Sequence, residues 1–326
     1  MGFERASLLS RQVEDVSLEV VAEEAGRLVK LFERIGGFSS RYIVRSAEVL
    51  VEMYRSGATV LMSFPANLVA TGLRGLFSGL IKHGLVHAVI TAGGTFDHDI
   101  ARGQGYKYYI GDFEYDDSLL RELEIHRLGN ILIPFENYGP PIEGFTHMML
   151  EELVKIKEEW SPSELAFEAG RRLPDENSIL KRAFERKTPI FAPGIMDSAF
   201  GTAIYTFNEK SRVSSSLKPV RVDVVKDMER IADIVYSSEK LGGIMLGGGI
   251  SKHHLIWWAQ FRGGLDYAVS ITSAPEWDGS LSGARTREAI SWGKIKPKAN
   301  HVTVPGDATV VFPIVIGYVI RELGAV

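Results

Sequence analysis

Six short apolar segments, each followed by small residues or proline, constrain the fold of this 326-residue chain more than any other feature. The segments consist largely of Val, Ile, Leu and Ala, and they span residues 58–63, 86–91, 188–192, 243–246, 266–272 and 301–304. Helical patterns fill most of the intervals between them. Strands that alternate with helices indicate a parallel sheet with both faces covered. We therefore predict an α/β fold with a doubly wound, mostly parallel, Rossmann-like sheet.

The first 57 residues have a helical pattern. Leu18, Val21, Ala25, Leu28 and Phe32 recur at three- and four-residue spacing, and two glycines at 36–37 end the run. Further helices are predicted at residues 40–54, 67–83, 158–177 and 308–320, with a short one from about residue 284. No Pro/Gly/Ser-rich linker or charge block divides the chain. We therefore predict a single domain over residues 1–326, with a helical N-terminal region at 1–57.

Composition and charge exclude several classes of function. A net charge of −4 and a pI of about 6.1 leave no basic stripe for a phosphate backbone, so no nucleic-acid partner is expected. The lack of cysteine excludes disulfides, thiolate zinc sites and cysteine nucleophiles. Arg11, Glu14 and Asp15 interrupt the N-terminal segment where a signal peptide would be apolar. The most apolar run, residues 308–320, is shorter than the about 20 residues that span a membrane, so we expect a cytoplasmic protein.

Small-residue turns after three predicted strands indicate a ligand crevice. In a doubly wound sheet, ligands bind beyond the carboxyl ends of the strands, where glycines and helix N-termini admit phosphates. The turns are Ala92-Gly93-Gly94, Gly247-Gly248-Gly249 and Ser273-Ala274. Tight turns also need glycine for conformational reasons alone. Lys252 stands where the dinucleotide fingerprint has its third glycine, and no triphosphate-binding loop is present, so a dinucleotide is favoured over a triphosphate.

Acidic residues and histidines also follow these strands. Asp97, Asp99, Asp197, Glu276, Asp278 and Asp307 could bind ribose hydroxyls or ammonium groups, although Asp197 and Asp307 could equally be helix N-caps. His98 and the pair His253-His254 have no metal-ligand spacing, so no metal site is predicted. His253 lies in the first turns of a helix after the triple glycine, where it could transfer a proton or be purely structural.

Lys294 is a candidate nucleophile. A Gly- and Ser-rich loop leads into a short helix that ends in Trp292-Gly-Lys294. A lysine beside an indole and apolar residues loses hydration, which lowers its pKa and suits imine chemistry. The alternative is an ordinary solvated lysine after a helix.

At these residues the sequence closely resembles the deoxyhypusine synthase family. The matching segments keep the family's order and spacing, and they are Leu246-Gly-Gly-Gly-Ile-Ser-Lys-His-His254, Gly264-Leu-Asp-Tyr-Ala-Val269, Asp278-Gly-Ser280, Ser282-Gly-Ala-Arg285, Glu288-Ala289, Ser291-Trp-Gly-Lys-Ile295 and Asp307-Ala308. Weaker similarity includes Arg127–Asn130, Thr91–Gly94 and Asn67-Leu68, so the resemblance covers about residues 55–325.

The resemblance implies an NAD-dependent aminobutyl transfer. In the family, a hydride passes from spermidine to NAD, and the resulting imine releases diaminopropane. The butyl group then forms an imine with a lysine of the enzyme, moves to one lysine of translation factor 5A, and receives the hydride back. The family also implies a homotetramer with sites between subunits.

The same resemblance assigns residues to roles. It implies that Lys294 forms the imine and that His253 assists proton transfer. Substrate would contact Gly279, Ser280, Glu288, Trp292 and His253. NAD would contact Ala66, Asn67, Leu68, Val69, Ala70, Thr91, Ala92, Gly93, Asp97, Asp197, Gly248, Ser273, Ala274, Asp307 and Ala308.

Four positions lose the residue type of the family's eukaryotic pattern, and a fifth keeps an acid of a different length. Phe96, Thr202 and Leu281 stand where acids are expected, and Ser270 stands where a tyrosine is expected. Asp97 replaces a glutamate. Each lost carboxylate removes a contact to an ammonium group worth about 1.5 to 3 kcal/mol, which leaves the amine donor open. The alternatives are transfer to free putrescine, as in homospermidine synthases, an NAD-binding regulator without catalysis, and an NAD-consuming deacylase.

Overall fold

The structure is a computed structural model that describes residues 5–214 and 217–326, so residues 1–4 of the predicted N-terminal region lie outside the described residues. The helices are α1 (Arg5–Leu8), α2 (Leu18–Glu24), α3 (Leu28–Ile35), α4 (Phe38–Arg55), α5 (Leu73–Lys82), α6 (Gly94–Gly103), α7 (Asp117–Glu122), α8 (Gly139–Leu153), α9 (Pro162–Arg172), α10 (Ile179–Arg186), α11 (Ala199–Val213), α12 (Lys226–Ser237), α13 (Gly249–Gln260), α14 (Glu288–Ser291) and α15 (Ala308–Leu323). Short 3₁₀ helices span Ala66–Ala70, Phe135–Asn137 and Glu276–Asp278.

The strands form one large sheet and two small ones. They are β1 (Thr59–Ser63), β2 (Ala88–Ile90), β3 (Tyr109–Ile110), β4 (Ile125–Leu128), β5 (Ile131–Pro134), β6 (Glu159–Trp160), β7 (Ile190–Phe191), β8 (Arg221–Val222), β9 (Leu241–Leu246), β10 (Leu265–Thr272) and β11 (Ile295–Pro305). The large sheet has the order β11-β10-β9-β1-β2-β7, and all its pairs are parallel. The small sheets are antiparallel β3-β5-β4 and parallel β6-β8. The predicted doubly wound α/β fold is confirmed.

The strand order reverses between β1 and β9. The chain builds outward from β1 through β2 to β7, returns to the centre at β9, and builds outward again to β11. Loops that leave two neighbouring strands in opposite directions open a crevice between them, and this is where such sheets bind ligands. The turn after β9 meets the loop after β1 there, since a Cβ added to Gly247 would lie 3.3 Å from Cγ of Pro65.

Both faces of the large sheet are buried. Val60 and Met62 of β1 belong to a core that includes Phe312 of α15. Leu61, between them, belongs to a second core with Ile256 of α13. Successive strand residues therefore point into different cores, which explains why the predicted strands are apolar throughout rather than alternating.

Helical boundaries differ from the sequence prediction where two backbones meet. The run predicted over residues 18–32 is two helices, α2 and α3, that flank Gly26. A Cβ added to Gly26 would lie 2.8 Å from the carbonyl oxygen of Gly317 in α15, so the chain bends where it crosses that helix. The helix predicted at 67–83 is likewise divided at Gly72, where an added Cβ would lie 2.6 Å from the carbonyl oxygen of Glu14.

Three other predicted elements have different bounds. The stretch 158–177 contains β6 as well as α9, and the short helix expected from residue 284 begins at Glu288. The last helix continues to Leu323. Across residues 5–214 and 217–326, no helix has both the length and the apolar character needed to span a bilayer.

Candidate functional site

The residues predicted to bind the cofactor follow the carboxyl ends of the six main strands. The 3₁₀ helix Ala66–Ala70 follows β1, Thr91 to Gly93 follow β2, and Asp197 follows β7. Gly248 follows β9, Ser273 and Ala274 follow β10, and Asp307 and Ala308 follow β11. Because the strands are parallel, all these segments lie along one edge of the sheet, and we call the opening at β1 and β9 the crevice.

Two glycines of the crevice are required by close backbone contacts. A Cβ added to Gly93 would lie 2.6 Å from the carbonyl oxygen of Ile195, and one added to Gly248 would lie 2.3 Å from Cα of Ser282. Both distances are shorter than real Cβ contacts allow. Gly247 and Gly249 instead have φ values of 64° and 62°, which side-chain-bearing residues adopt rarely.

Two helix N-termini at the crevice lack a side-chain cap. The N-caps of α6 and α13 are Gly93 and Gly248, and neither has a side-chain capping bond. By contrast, Ser198 caps α11 by accepting from the amide of Gly201 at 2.8 Å, so the alternative reading of Asp197 as an N-cap is wrong. The same alternative is correct for Asp307, which accepts from the amide of Thr309 at 2.6 Å. The N-terminus of α13 suits an anionic ligand, whereas in α6 the amides of Thr95 and Phe96 already donate to the carbonyls of Ala92 and Gly93.

Asp97 lies beneath the crevice and is 1% exposed. Its carboxylate accepts hydrogen bonds from the amides of Ala199 and Phe200 at 2.9 and 2.8 Å and from the hydroxyl of Tyr138 at 2.9 Å. Burial raises the pKa of Asp97, and these three donors partly offset it. Its oxygens are thus directed at the start of α11, and Asp97 supports the crevice by fixing the turn that carries Asp197.

Asp99 and His98 have structural environments. Asp99 accepts from the amides at the start of α10 and from Arg74. His98 is buried, with Nδ1 3.0 Å from the hydroxyl of Tyr108, and burial lowers its pKa to about 3. Within the part of the chain that the structure describes, no three His, Asp or Glu side chains are grouped as metal ligands.

A cavity of about 250 Å³ surrounds Lys294 on the α13 face of the sheet. Its lining comes from β9, α13, the segment 281–287, α14 and the start of β11. We call residues 281–287 the wall segment. The lining residues are Met245, Lys252, His253, Ile256, Trp257, Leu281, Ala284, Arg285, Thr286, Glu288, Ala289, Trp292, Lys294 and Ile295. The predicted residues His253, Glu288, Trp292 and Lys294 are therefore brought together.

Lys294 is held at the junction of α14 and β11. Its amide donates to the carbonyl of Ala289, and its carbonyl accepts from the amide of Leu265, both at 3.0 Å. Gly293 permits the turn with a φ of 68°. The side chain is buried, and Nζ lies 5.0 Å from the ring centroid of Trp292 and 5.6 Å from that of Trp257. Burial lowers the pKa of Lys294, and Glu288 opposes part of this effect.

His253 and Lys252 face the cavity from α13. The imidazole of His253 stacks on Trp257 with centroids 5.5 Å apart and planes 26° apart. Burial, followed by the charge of Lys294, lowers the pKa of His253, which favours a neutral ring able to accept a proton. Lys252 is buried, donates to the carbonyls of Leu281 and Ala284 at 3.0 and 2.7 Å, and has its pKa lowered by burial to about 8.

The wall segment is fixed at both ends. Lys252 holds its first half, and Gly248 packs directly beneath Ser282. At the other end, the amide of Thr286 donates to Oγ1 of Thr303 in β11 at 2.9 Å, and its hydroxyl lies 2.8 Å from Nδ1 of His301. The crevice and the cavity therefore share a boundary at Gly248 and Ser282.

Comparison with known proteins identifies the family. The family model for deoxyhypusine synthase matches residues 27–319. A relative from Sulfurisphaera tokodaii, named "Probable deoxyhypusine synthase", is 50% identical over 310 residues, covering 95% of this chain and 97% of the relative. A relative of the same name from Sulfolobus acidocaldarius is 48% identical over 317 residues, covering 97% of this chain and 99% of the relative. The chain belongs to the deoxyhypusine synthase family.

A solved structure supports the same fold. A crystal structure assigned to deoxyhypusine synthase of Entamoeba histolytica superposes with a TM-score of 0.59 at 21% identity, covering 86% of this chain and 88% of the other. The deoxyhypusine synthase family consists of transferases, so the chain is grouped with transferases.

Of the four departures from the eukaryotic deoxyhypusine synthases, only Leu281 lines the cavity of this chain. Phe96 is buried against Phe200, with ring centroids 5.3 Å apart. Thr202 is exposed on α11, where its hydroxyl donates to the carbonyl of Ser198. Ser270 is buried within β10. Gly279 and Ser280, predicted to contact substrate, lie in the exposed turn just before the wall segment.

Sequence reasoning gave no role to Lys252, Trp257 and Thr286, which line the cavity. Lys252 lies within the family segment Leu246–His254, whereas Trp257 and Thr286 lie outside the matching segments, and the neighbours of all three are set by tertiary packing. One signal was available. His253 and Trp257 are four residues apart, and side chains at that spacing are neighbours on a helix.

Proposed function

We propose that this protein is a deoxyhypusine synthase that transfers the aminobutyl group of spermidine to a lysine of translation factor 5A, with NAD as the hydride carrier. The observation that carries the proposal is the placement of Lys294 beside His253 in a buried cavity that borders the glycine turn at Gly248. A buried amine and a neutral imidazole are suited to imine exchange.

The crevice suits NAD. Close backbone contacts at Gly93 and Gly248 leave no room for a side chain, and the N-terminus of α13, which has no side-chain cap, favours an anionic group such as a pyrophosphate. Asn67, Asp197 and Asp307 would contact the remaining polar groups. When bound, NAD would take a hydride from the amine donor and return it to the final product.

Lys294 would carry the transferred group. Once the donor is oxidised to an imine, the neutral amine of Lys294 adds to the imine carbon, and diaminopropane leaves with the other nitrogen. The acceptor lysine then adds to the same carbon and frees Lys294, so each exchange forms one C–N bond and breaks one. His253 would take the proton from the attacking amine and give it to the leaving amine.

The charges around the cavity favour an uncharged donor nitrogen. Besides Lys294, which reacts as a neutral amine, the lining residues include the basic groups Lys252 and Arg285, whereas Glu288 is the single carboxylate among them. Like charges disfavour an ammonium group, so the reacting nitrogen would lose its proton on entry. Only an amine with a free lone pair can release a hydride from its adjacent carbon, and the charge distribution therefore supports the first step.

Adduct mapping tests the proposal. The protein is incubated with NAD, spermidine and purified factor 5A, treated with borohydride, and digested for mass analysis. We expect a butylamine increment on Lys294 and deoxyhypusine on the factor. Lys296→Arg is the matched control, because Lys296 pairs with Asp266 outside the cavity. An unmodified factor together with an unmodified Lys294 would refute the proposal, as would nicotinamide released in step with turnover.

Transfer to a free amine is the second candidate, because Leu281 gives the cavity an apolar wall where an acid is expected. The same incubation without factor 5A but with putrescine distinguishes the two acceptors. Homospermidine formed faster than deoxyhypusine would favour this candidate, and NAD binding without either product would favour a regulator. We also propose that the protein is cytoplasmic and that it forms a homotetramer. Light scattering coupled to size exclusion tests the tetramer.

A further inference from the structure

Trp257 contacts both residues that the proposed reaction needs. On α13, its ring stacks on the imidazole of His253, and its ring centroid lies 5.6 Å from Nζ of Lys294. Trp292 approaches the same nitrogen at 5.0 Å. Nζ therefore lies within cation–π range of two indoles that come from different elements.

The two indoles supply an attraction for positive charge that the ionised groups do not. The titratable lining groups are Lys252 and His253 from α13, Arg285 from the wall segment, Glu288 from α14, and Lys294 itself. Cations outnumber carboxylates among them. The electron-rich face of an indole attracts a cation and leaves a neutral amine nearly unaffected, so the two rings favour whichever form of the nitrogen is charged.

We propose that Trp257 is a further binding residue of this site, which together with Trp292 holds the cationic nitrogen on Lys294, including the protonated imine of the transferred group. This inference rests on the proposed function for the imine but not for the ammonium of the free enzyme. Trp257 is 41% exposed and Trp292 is 63% exposed, so solvent reaches both rings that flank the nitrogen of Lys294. A second amine can therefore enter this part of the site from solvent.

The contact of Trp257 with His253 separates two effects in the experiment. Loss of the ring would also release the imidazole, and that would slow proton transfer without changing the affinity of Lys294 for its proton. The ammonium of Lys294 must therefore be measured directly. Trace labelling with acetic anhydride across a pH series, read by peptide mass spectrometry, reports the fraction of Lys294 present as free amine.

Trp257→Leu, Trp257→Phe and Trp258→Phe form the variant set. Trp258 is the matched control, because it is on the same helix but packs on His254 instead of His253. Trp257→Leu keeps an apolar side chain beside Lys294, and so retains the burial that lowers its pKa, but it removes the cation–π stabilisation of the ammonium. We therefore expect the pKa of Lys294 to fall further and its labelling curve to move to lower pH. Trp257→Phe keeps a ring and should restore most of the wild-type curve. Thermal unfolding verifies that each variant is folded.

The borohydride-trapped adduct gives the second readout. With NAD, spermidine and factor 5A, Trp257→Leu should accumulate about three- to tenfold less adduct on Lys294 than wild type or Trp258→Phe. If Trp257→Leu labels like wild type, or if Trp258→Phe moves the curve equally, the assignment to Trp257 is wrong. If wild type forms no adduct at all, the proposed function fails, whereas the labelling curves still decide the role of Trp257.

Discussion

Arg74 and Lys294 are both buried cations, 1% and 6% exposed, but their surroundings are opposite. The guanidinium of Arg74 lies between three carboxylates, with Asp15 at 2.6 Å and Asp99 and Asp175 at 2.7 Å. Lys294 lies between two indoles, with Glu288 as the one acid that acts on it. The first group joins the N-terminal segment to α5, α6 and the loop before α10, and the second faces a cavity.

The difference determines whether a buried basic side chain stays protonated, as Arg74 does, or can lose its proton, as Lys294 must. Burial lowers the pKa of Arg74, but Asp99, Asp15 and Asp175 outweigh it and raise the pKa above its ordinary value. For Lys294, burial is the larger effect and the pKa is lowered. A group that anchors the fold is therefore surrounded by opposite charge, and a group that must act as a free amine is not.

Replacing the cavity lysine, Lys294, should have the largest effect. Lys294→Arg keeps a positive charge but cannot form an imine, so we expect aminobutyl transfer to fall by at least about 10³-fold. The free energy of unfolding should change little, because no carboxylate of residues 5–214 or 217–326 forms an ion pair with Lys294. Steady-state formation of deoxyhypusine and urea titration measure the two quantities. Transfer at the wild-type rate would remove Lys294 from the mechanism.

Arg74→Met tests the buried ion pairs of Arg74. It leaves Asp99 and Asp175 without their cation and Asp15 with Arg102 alone, and breaking a buried pair in this way costs about 3–5 kcal/mol of unfolding free energy. Urea unfolding at neutral pH measures the loss. Arg127→Met is the control, because Arg127 forms an exposed pair with Asp117 and should give a far smaller change. Equal losses in the two variants would contradict the anchoring role of Arg74.

Lys252 is a third buried basic group, and it is held by two carbonyls rather than by carboxylates or indoles. Its pKa is about 8 in the folded protein and 10.5 when unperturbed, so between these pH values the unfolded chain binds more protons. Unfolding free energy therefore rises with pH in this window, by up to about 3 kcal/mol relative to Lys252→Met. Urea titrations at pH 7.5, 9 and 10.5 measure the rise. Lys298→Met, which removes an exposed lysine, should follow the wild-type curve.

Replacing Gly248, at the boundary between the crevice and the cavity, should have the smallest effect. An alanine at Gly248 would place Cβ 2.3 Å from Cα of Ser282, so the wall segment must shift. We expect a loss of about 1–3 kcal/mol in stability and about a tenfold weaker NAD affinity. Gly263→Ala, at the far end of α13, has a φ of 89° and no neighbour within 4 Å, so it should cost about 1 kcal/mol and leave NAD affinity unchanged. Calorimetric titration with NAD compares them.

Local sequence patterns predicted the elements whose burial and ends are determined by their own residues. The six main strands were found because each is apolar on both faces and ends at small residues or proline. The break at Gly26 was missed, because a glycine within a helical pattern does not reveal that α15 crosses there. The hairpin of β4 and β5 and the short strand β3 were also missed, since two to four residues give too little periodicity to recognise.

The site divides in the same way. The turns that contain Gly93 and Gly248 were predicted because close approach of two backbones requires a glycine, which is visible in the sequence. Lys294 was singled out because Trp292 is two residues away. Asp97 was predicted as a cofactor contact, and its burial against α11 could not be foreseen because it depends on a helix 100 residues later in the chain. Resemblance to a family supplies residue roles, but it does not indicate which side chains point inward.

The reversal of strand order also has a consequence for how the chain is made. β1 is the centre of the sheet, and its register joins Thr59 to Leu241 on one edge and Leu61 to Ala88 on the other. During synthesis the edge of β1 that pairs with β2 can pair early, whereas the edge that pairs with β9 stays open until β9 has left the ribosome. An unpaired edge of buried apolar strand is a site of mispairing between nascent chains. The strand that organises the crevice in the finished protein is therefore the one that most needs shielding before the protein is complete.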